Sequence, residues 1–174
     1  TIITIIREVT NLPGGRDTEI YAMILPCVKN EGGKVVVDEE GIRRIRKAGL
    51  TQISFNIEIF DEVCAKKYMP GKSTIPRKIY YDSLLAARQI WLKSTDKLRA
   101  KSVVQQVRAM IILGLEPRKS FMDGVEWLLK NGIQPIISIF RPLDNTVLRD
   151  CVAPSMIFVY KTFIELQKQI DRMK

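Results

Sequence analysis

The feature that most narrows the fold is a rhythm in which short β-branched runs alternate with longer stretches of helical periodicity. That is the pattern of βα units and a parallel sheet. Residues 1–10 read as a helix closed by the turn Leu12-Pro13-Gly14-Gly15, and residues 19–25 as a strand stopped by Pro26. A polar loop with Gly32-Gly33 and the ambiguous run Val35-Val36-Val37 lead to a helix from Asp38. Acids fill its first turn and Arg43, Arg44, Arg46 and Lys47 its end, complementing the helix dipole, with Gly49 just beyond. Residues 52–59 form the next strand, 61–68 a short helix and 78–96 a long one; 107–113 is again a strand. Ser120 is expected to cap a helix ending at Asn131, with Gly132 past it. Residues 134–140 are the last strand, and a final helix starts near Ser155 with Val159, Phe163, Leu166 and Ile170 on one side.

This organisation predicts one α/β domain over residues 1–174. Four strands with four following helices make about half of a (β/α)8 barrel, and a doubly wound sheet is the alternative. The expected architecture is a partial (β/α) TIM-type barrel whose first strands are absent. The chain opens at Thr1 directly on an apolar run, as expected of a piece of something longer. Cys27, Cys64 and Cys151, odd in number and widely spaced, read as reduced thiols of a cytosolic, cytoplasmic protein. No apolar run approaches the roughly 18 residues that span a bilayer.

The absence of histidine excludes Ser-His-Asp hydrolysis and HExxH metalloprotease chemistry. A net charge of +9 favours anionic ligands or partners. The sharper signal is the second strand. Ile53, Phe55, Ile57 and Ile59 share one face; Ser54, Asn56 and Glu58 share the other. A strand covered on both sides should be apolar on both, so the polar face is expected to line a wet or ligand-filled lumen. An edge strand, or a Glu58 paired with Lys or Arg, are the alternatives. Glu116, after Gly114-Leu115, and Arg141, after Phe140, fall beyond the carboxyl ends of later strands, where ligands of parallel α/β folds sit. Their bland counterparts are a solvated loop acid and a salt bridge to a loop carboxylate.

Two leads are weaker. Pro70-Gly71-Lys72-Ser73 ends like a phosphate-binding loop, but Lys66 occupies the first glycine position, so it reads as a turn. The basic residues Arg43, Arg44, Arg46, Lys47, Lys66, Lys67, Lys93, Lys97, Arg99 and Lys101 lack interleaved aromatics and read chiefly as solvated helix faces. The stretch from Lys93 to Lys101 remains a candidate contact for nucleic acid or an acidic protein.

Two segments resemble radical SAM enzymes of the biotin-synthase-like group. One is Asn56-Ile57-Glu58-Ile59-Phe60-Asp61-Glu62, running on to Tyr68-Met69-Pro70-Gly71-Lys72. The other is Gly114-Leu115-Glu116-Pro117 followed by Asp123-Gly124-Val125-Glu126-Trp127-Leu128 and the stretch from Gly132 to Thr146. The likeness spans about residues 18–165. It implies the C-terminal portion of a (β/α)6 barrel binding S-adenosylmethionine and a [4Fe–4S] cluster, the parent enzyme generating a 5′-deoxyadenosyl radical for hydrogen abstraction. By that similarity Asn56 and Glu58 hydrogen-bond the cofactor's ribose, Gly114 brings backbone close to its adenine, and Arg141 meets a carboxylate of cofactor or substrate; Ser54 and Glu116 are expected to join them in binding the cofactor. The family's C-x-x-x-C-x-x-C cluster motif and its glycine-rich second-strand motif are absent from these residues, so the cluster ligands are expected outside this segment. The competing expectation is a cluster-free basic barrel fragment that binds nucleic acid or an acidic protein. In either case an open sheet edge invites self-association. A lyase using a strand-end lysine fits less well, since no lysine falls in the four expected strands.

Overall fold

The computed structural model describes residues 1–15, 18–93 and 106–173. Among these, six helices and six strands follow the order α1 (Ile2–Asn11), β1 (Tyr21–Ile24), β2 (Val28–Glu31), β3 (Lys34–Val37), α2 (Glu39–Lys47), β4 (Gln52–Phe55), α3 (Glu62–Tyr68), α4 (Arg77–Leu92), β5 (Val107–Leu113), α5 (Arg118–Lys130), β6 (Gln134–Ile139) and α6 (Met156–Arg172). A 3-10 turn, Lys72–Thr74, precedes α4. β1, β4, β5 and β6 form a parallel sheet in the order β1-β4-β5-β6, so β1 and β6 are its edges. The fold is mixed α/β, with parallel strands alternating with helices.

The core follows from the pleat. Along β5, Val107, Ala109, Ile111 and Leu113 are buried while Arg108, Met110 and Ile112 are half-exposed. Ile53 and Phe55 of β4 share the first face, in register with Ala22 and Ile24 on β1. Ile42 and Ile45 of α2, Tyr80, Leu84, Ala87 and Trp91 of α4, and Phe121, Val125 and Leu128 of α5 complete this main core. Helices therefore pack on the odd-numbered face of β5. The even-numbered face, running from Tyr21 and Met23 across Ser54 and Met110 to Ile136 and Ser138, keeps partial solvent contact at each of these residues but Ser54.

Local chemistry sets the joints. Asp38 caps α2 by accepting from the Gly41 N–H at 2.8 Å, and Ser155 caps α6 through the Phe158 N–H at 3.2 Å. Gly49 takes φ +117° after α2, and a side chain there would strike the Thr10 hydroxyl of α1. At the base of β4, Trp91 Nε1 donates to the Thr51 carbonyl at 2.8 Å, while the Thr51 hydroxyl accepts from Ile20 N at 2.7 Å. α4 is thereby tied to β4, and β4 to the chain entering β1.

Several expectations are corrected. Val35-Val36-Val37 belongs to an antiparallel hairpin, β2–β3, turned at Gly32-Gly33. The strand expected over 52–59 stops at Phe55. α5 starts at Arg118 behind Pro117, so Ser120 lies inside it rather than capping it. On α6 the buried row is Val159, Thr162 and Leu166, and Phe163 is 41% exposed. The expected end of the long helix beyond Lys93, with Lys97, Arg99 and Lys101, lies outside the described residues. No described helix is long and apolar enough to cross a membrane.

Candidate functional site

The polar face of β4 is interrupted by a bulge. Ser54 pairs with Arg108 across the ladder, but the next bridge joins Glu58 to Ile111, so four steps on one strand match three on the other. The surplus residue leaves the Met110 N–H without a backbone acceptor, and the Asn56 side chain supplies one: Oδ1 accepts it at 3.2 Å. The Ser54 hydroxyl, fully buried, donates to the same oxygen. Regular pairing resumes at Glu58, whose N–H reaches the Met110 carbonyl at 2.9 Å and whose carbonyl accepts from Ile112 N at 2.8 Å. Glu58 does this with φ +60°, a left-handed conformation uncommon outside glycine.

These contacts sort the expected site residues. Ser54 and Asn56 do lie together. The Asn56 carboxamide nitrogen points at the Met23 sulfur on β1, 3.6 Å away; thioether sulfur is a weak acceptor, so that N–H2 group keeps most of its donor capacity. The Glu58 carboxylate is 16% exposed and ion-paired with Lys72 of the 3-10 turn. A Glu58 paired with Lys or Arg is one of the alternatives the sequence leaves open, and Lys72, which reads as part of a turn, is the partner. A lysine in a Pro-Gly turn shortly after a strand-end acid was the available signal. Tyr80 Oη reaches the Lys72 carbonyl at 3.4 Å.

Glu116 is neither a solvated acid nor free to meet a ligand. It is buried, and its carboxylate accepts the Phe60 N–H through both oxygens, at 3.0 and 3.1 Å, and the Asp61 N–H at 2.7 Å. Burial pushes its pKa up, and the backbone donors oppose that shift. Arg77, missed from sequence, adds a second clamp on the same connection: Nη1 donates to the Ile57 carbonyl at 2.8 Å, and its guanidinium lies 5.5 Å over the Tyr80 ring. Gly114, at φ +112°, closes β5, and a Cβ there would lie 2.8 Å from Pro154, so its bareness makes room for the chain entering α6. Arg141 is exposed and has no hydrogen bond or ion pair with the other five residues.

The cysteines do not suit a cluster. Cys27 lies between β1 and β2, Cys64 in α3 and Cys151 before α6. Burial, then Asp38, raises the Cys27 pKa, and burial, then Asp61, raises that of Cys64. Both therefore hold their protons, whereas a metal ligand must release its own. No group of three metal-ligating side chains occurs among the described residues. A [4Fe–4S] cluster does not fit these residues.

Grooves on the helix side include one of about 690 Å³ between α2 and α4, one of about 580 Å³ between α5 and α6 and one of about 500 Å³ between α4 and α5. Several basic residues expected to be solvated are paired along their helices, Arg43 with Glu39 at 2.6 Å and Lys66 with Glu62 at 3.3 Å. No protein-family model matches the chain, and neither does any curated protein or solved structure.

Proposed function

We propose that the parallel sheet is an arc of a (β/α) barrel and that its half-exposed face binds the nucleoside of S-adenosylmethionine, as part of a radical SAM enzyme. The observation that carries this reading is the Asn56 side chain. Its oxygen is consumed by Met110 N–H and the Ser54 hydroxyl, while its nitrogen remains a donor on the open face. A donor fixed by two hydrogen bonds to its own carbonyl end is preorganised for a hydroxyl acceptor such as a ribose oxygen. Glu58 stands two residues on as a potential acceptor, and Lys72 holds its charge in place. The Ser54 and Asn56 arrangement thus fits a hydroxylated ligand.

In such an enzyme a [4Fe–4S] cluster would supply the electron that cleaves S-adenosylmethionine, and its ligands have no counterpart among the described residues. The part assigned to this chain is narrower: Asn56 orients the ribose, Glu58 accepts a hydroxyl proton in hydrogen bonding, and the apolar neighbours Met23 and Met110 exclude water from that contact.

The test is calorimetric titration of the chain with S-adenosylhomocysteine, paired with the Asn56 side-chain amide signals in a ¹⁵N spectrum. Asn56→Asp keeps the acceptor that supports the bulge and removes the donor. It should weaken binding by about tenfold, the value of one buried hydrogen bond. Binding that Asn56→Asp leaves unchanged, or no displacement of the Asn56 amide signals on titration, overturns the assignment.

A further inference from the structure

α6 has two apolar sides. Val159, Thr162 and Leu166 are buried against the body of the fold, yet Met156, Ile157, Tyr160 and Ile164 stay 78%, 67%, 67% and 42% exposed. A helix that is apolar around most of its girth is normally enclosed, and a contiguous exposed stripe marks an interaction surface.

The cations beside that stripe differ from several on the other helices. Arg43, Lys66, Lys78, Lys119 and Lys130 each pair with a carboxylate one helical turn away. On α6 the carboxylate one turn from Lys161 is Glu165, and it is drawn across to Arg118 at the start of α5. One turn beyond Lys168 stand Asp171, whose Oδ1 accepts from Gln167 Nε2 at 3.0 Å, and Arg172, a like charge. Among the described residues Lys161, Lys168 and Arg172 therefore have no ion pair. All three border the α5–α6 groove, whose apolar wall is Tyr160 and Ile164.

We propose that this groove and the outer face of α6 dock an acidic amphipathic helix of a partner protein, its apolar side chains on the stripe and its carboxylates on Lys161, Lys168 and Arg172. This is a helix-in-groove contact, and charge selects the occupant. A second copy would set an uncompensated cation row beside its equal on a chain already at +9. A bilayer is flat, whereas these cations ring a concavity. Glu165 does not repel an acidic partner, because Arg118 already neutralises it. The inference is independent of the nucleoside reading, since α6 contributes nothing to the Asn56 site.

The probe is a fluorescein-labelled peptide of leucine and glutamate at amphipathic helical spacing, measured by anisotropy against the intact chain. A sister peptide with lysine for glutamate, and vesicles of equal parts phosphatidylserine and phosphatidylcholine, run in parallel. The acidic peptide should bind with a micromolar Kd. Lys161→Glu/Lys168→Glu should weaken it by at least roughly tenfold, while Lys66→Glu/Lys67→Glu, an equal change of net charge on α3, should leave it within about twofold. Circular dichroism confirms that both variants fold, as expected for exposed positions. Three results overturn the proposal: no acidic-peptide binding up to about 100 µM, equal losses in the two charge variants, or binding to the vesicles without binding to the peptide.

Discussion

Glu116 offers the sharpest check on how the strand-end zone is built. Replacing it with alanine removes the acceptor for two backbone N–H groups, those of Phe60 and Asp61, held at 3.0 and 2.7 Å by the same oxygen, Oε2. Each donor left without a partner in a partly buried site costs about 1–3 kcal/mol. Water reaching the exposed side recovers some of this, so the loss should be about 2–4 kcal/mol. In a chain of this length that lowers Tm by roughly 5–15 °C. Glutamine behaves differently. Its one carbonyl oxygen, placed where Oε2 lies, still accepts both donors, and it sheds a charge that burial disfavours.

The sign of the pH dependence follows from that burial. Burial, opposed by the backbone donors, lifts the Glu116 carboxyl above its ordinary 4.5 in the folded state. The folded protein then holds the proton longer than the unfolded chain, so this group's contribution is fully present below 4.5 and is lost as pH rises through the folded value. Glu116→Gln has no such titration. Its stability relative to the native chain should therefore rise from near equality in acid to equal or greater stability at neutral pH. Urea unfolding followed by Trp91 and Trp127 fluorescence at a series of pH values measures it. A Glu116→Gln loss as large as that of alanine, or a deficit that grows as pH rises, would refute the reasoning, because the backbone donors would then outweigh burial.

Two further substitutions probe the packing that holds this zone. Gly124 of α5 faces the Phe60 ring so closely that a methyl group would overlap it, so Gly124→Ala should cost about 1–3 kcal/mol in urea unfolding; the added change Phe60→Leu should restore part of that loss. Trp91→Phe deletes the 2.8 Å hydrogen bond to Thr51 and the stacking of Arg46, 5.4 Å above the ring. It should cost about 2–3 kcal/mol in the same assay, with a larger share in the hydrogen bond than in the smaller ring.

Much of the fold was legible because it depends on periodicity and end chemistry alone. The apolar run of β5 is bounded by its own alternation, and Asp38, Ser155, Gly49 and Gly132 mark helix ends by the capping and left-handed conformations that they adopt. The β2–β3 hairpin escaped notice because its strands are four residues each and mostly exposed, so no buried face imprinted an alternation on Lys29-Asn30-Glu31. The bulge was invisible for the opposite reason. Alternation of side chains from Ile53 to Ile59 is unbroken in sequence while the backbone inserts a residue, and periodicity cannot register an insertion that a side chain, Asn56, repairs. The destination of Glu116 depends on backbone donors 55 and 56 residues away, which no local pattern encodes. The apolar periodicity of α6 puts Phe163 on the same side as Val159, Leu166 and Ile170, yet Phe163 is 41% exposed. Thr162 takes that place by returning its hydroxyl to the Phe158 carbonyl at 2.8 Å and accepting from Arg118 at 3.1 Å.

The candidate site is better marked by spare hydrogen-bonding capacity than by polarity. Six polar or close-approach positions were expected to face a ligand, and the fold already spends most of them on itself. Ser54 donates to Asn56, Glu58 neutralises Lys72, Glu116 receives two backbone N–H groups, and Gly114 admits Pro154. Apart from the second oxygen of Glu58, which Lys72 does not use, a polar group so engaged can bind a ligand only by breaking what it holds, at a cost comparable to the hydrogen bond gained. Asn56 differs within a single side chain: the oxygen is used twice over, and the nitrogen faces only a sulfur at 3.6 Å. The structural use of one end fixes the direction of the other. The bulge that spoils the regularity of β4 is thus also what aims its donor, and a strand with perfect pairing at Met110 would have no need of an asparagine there.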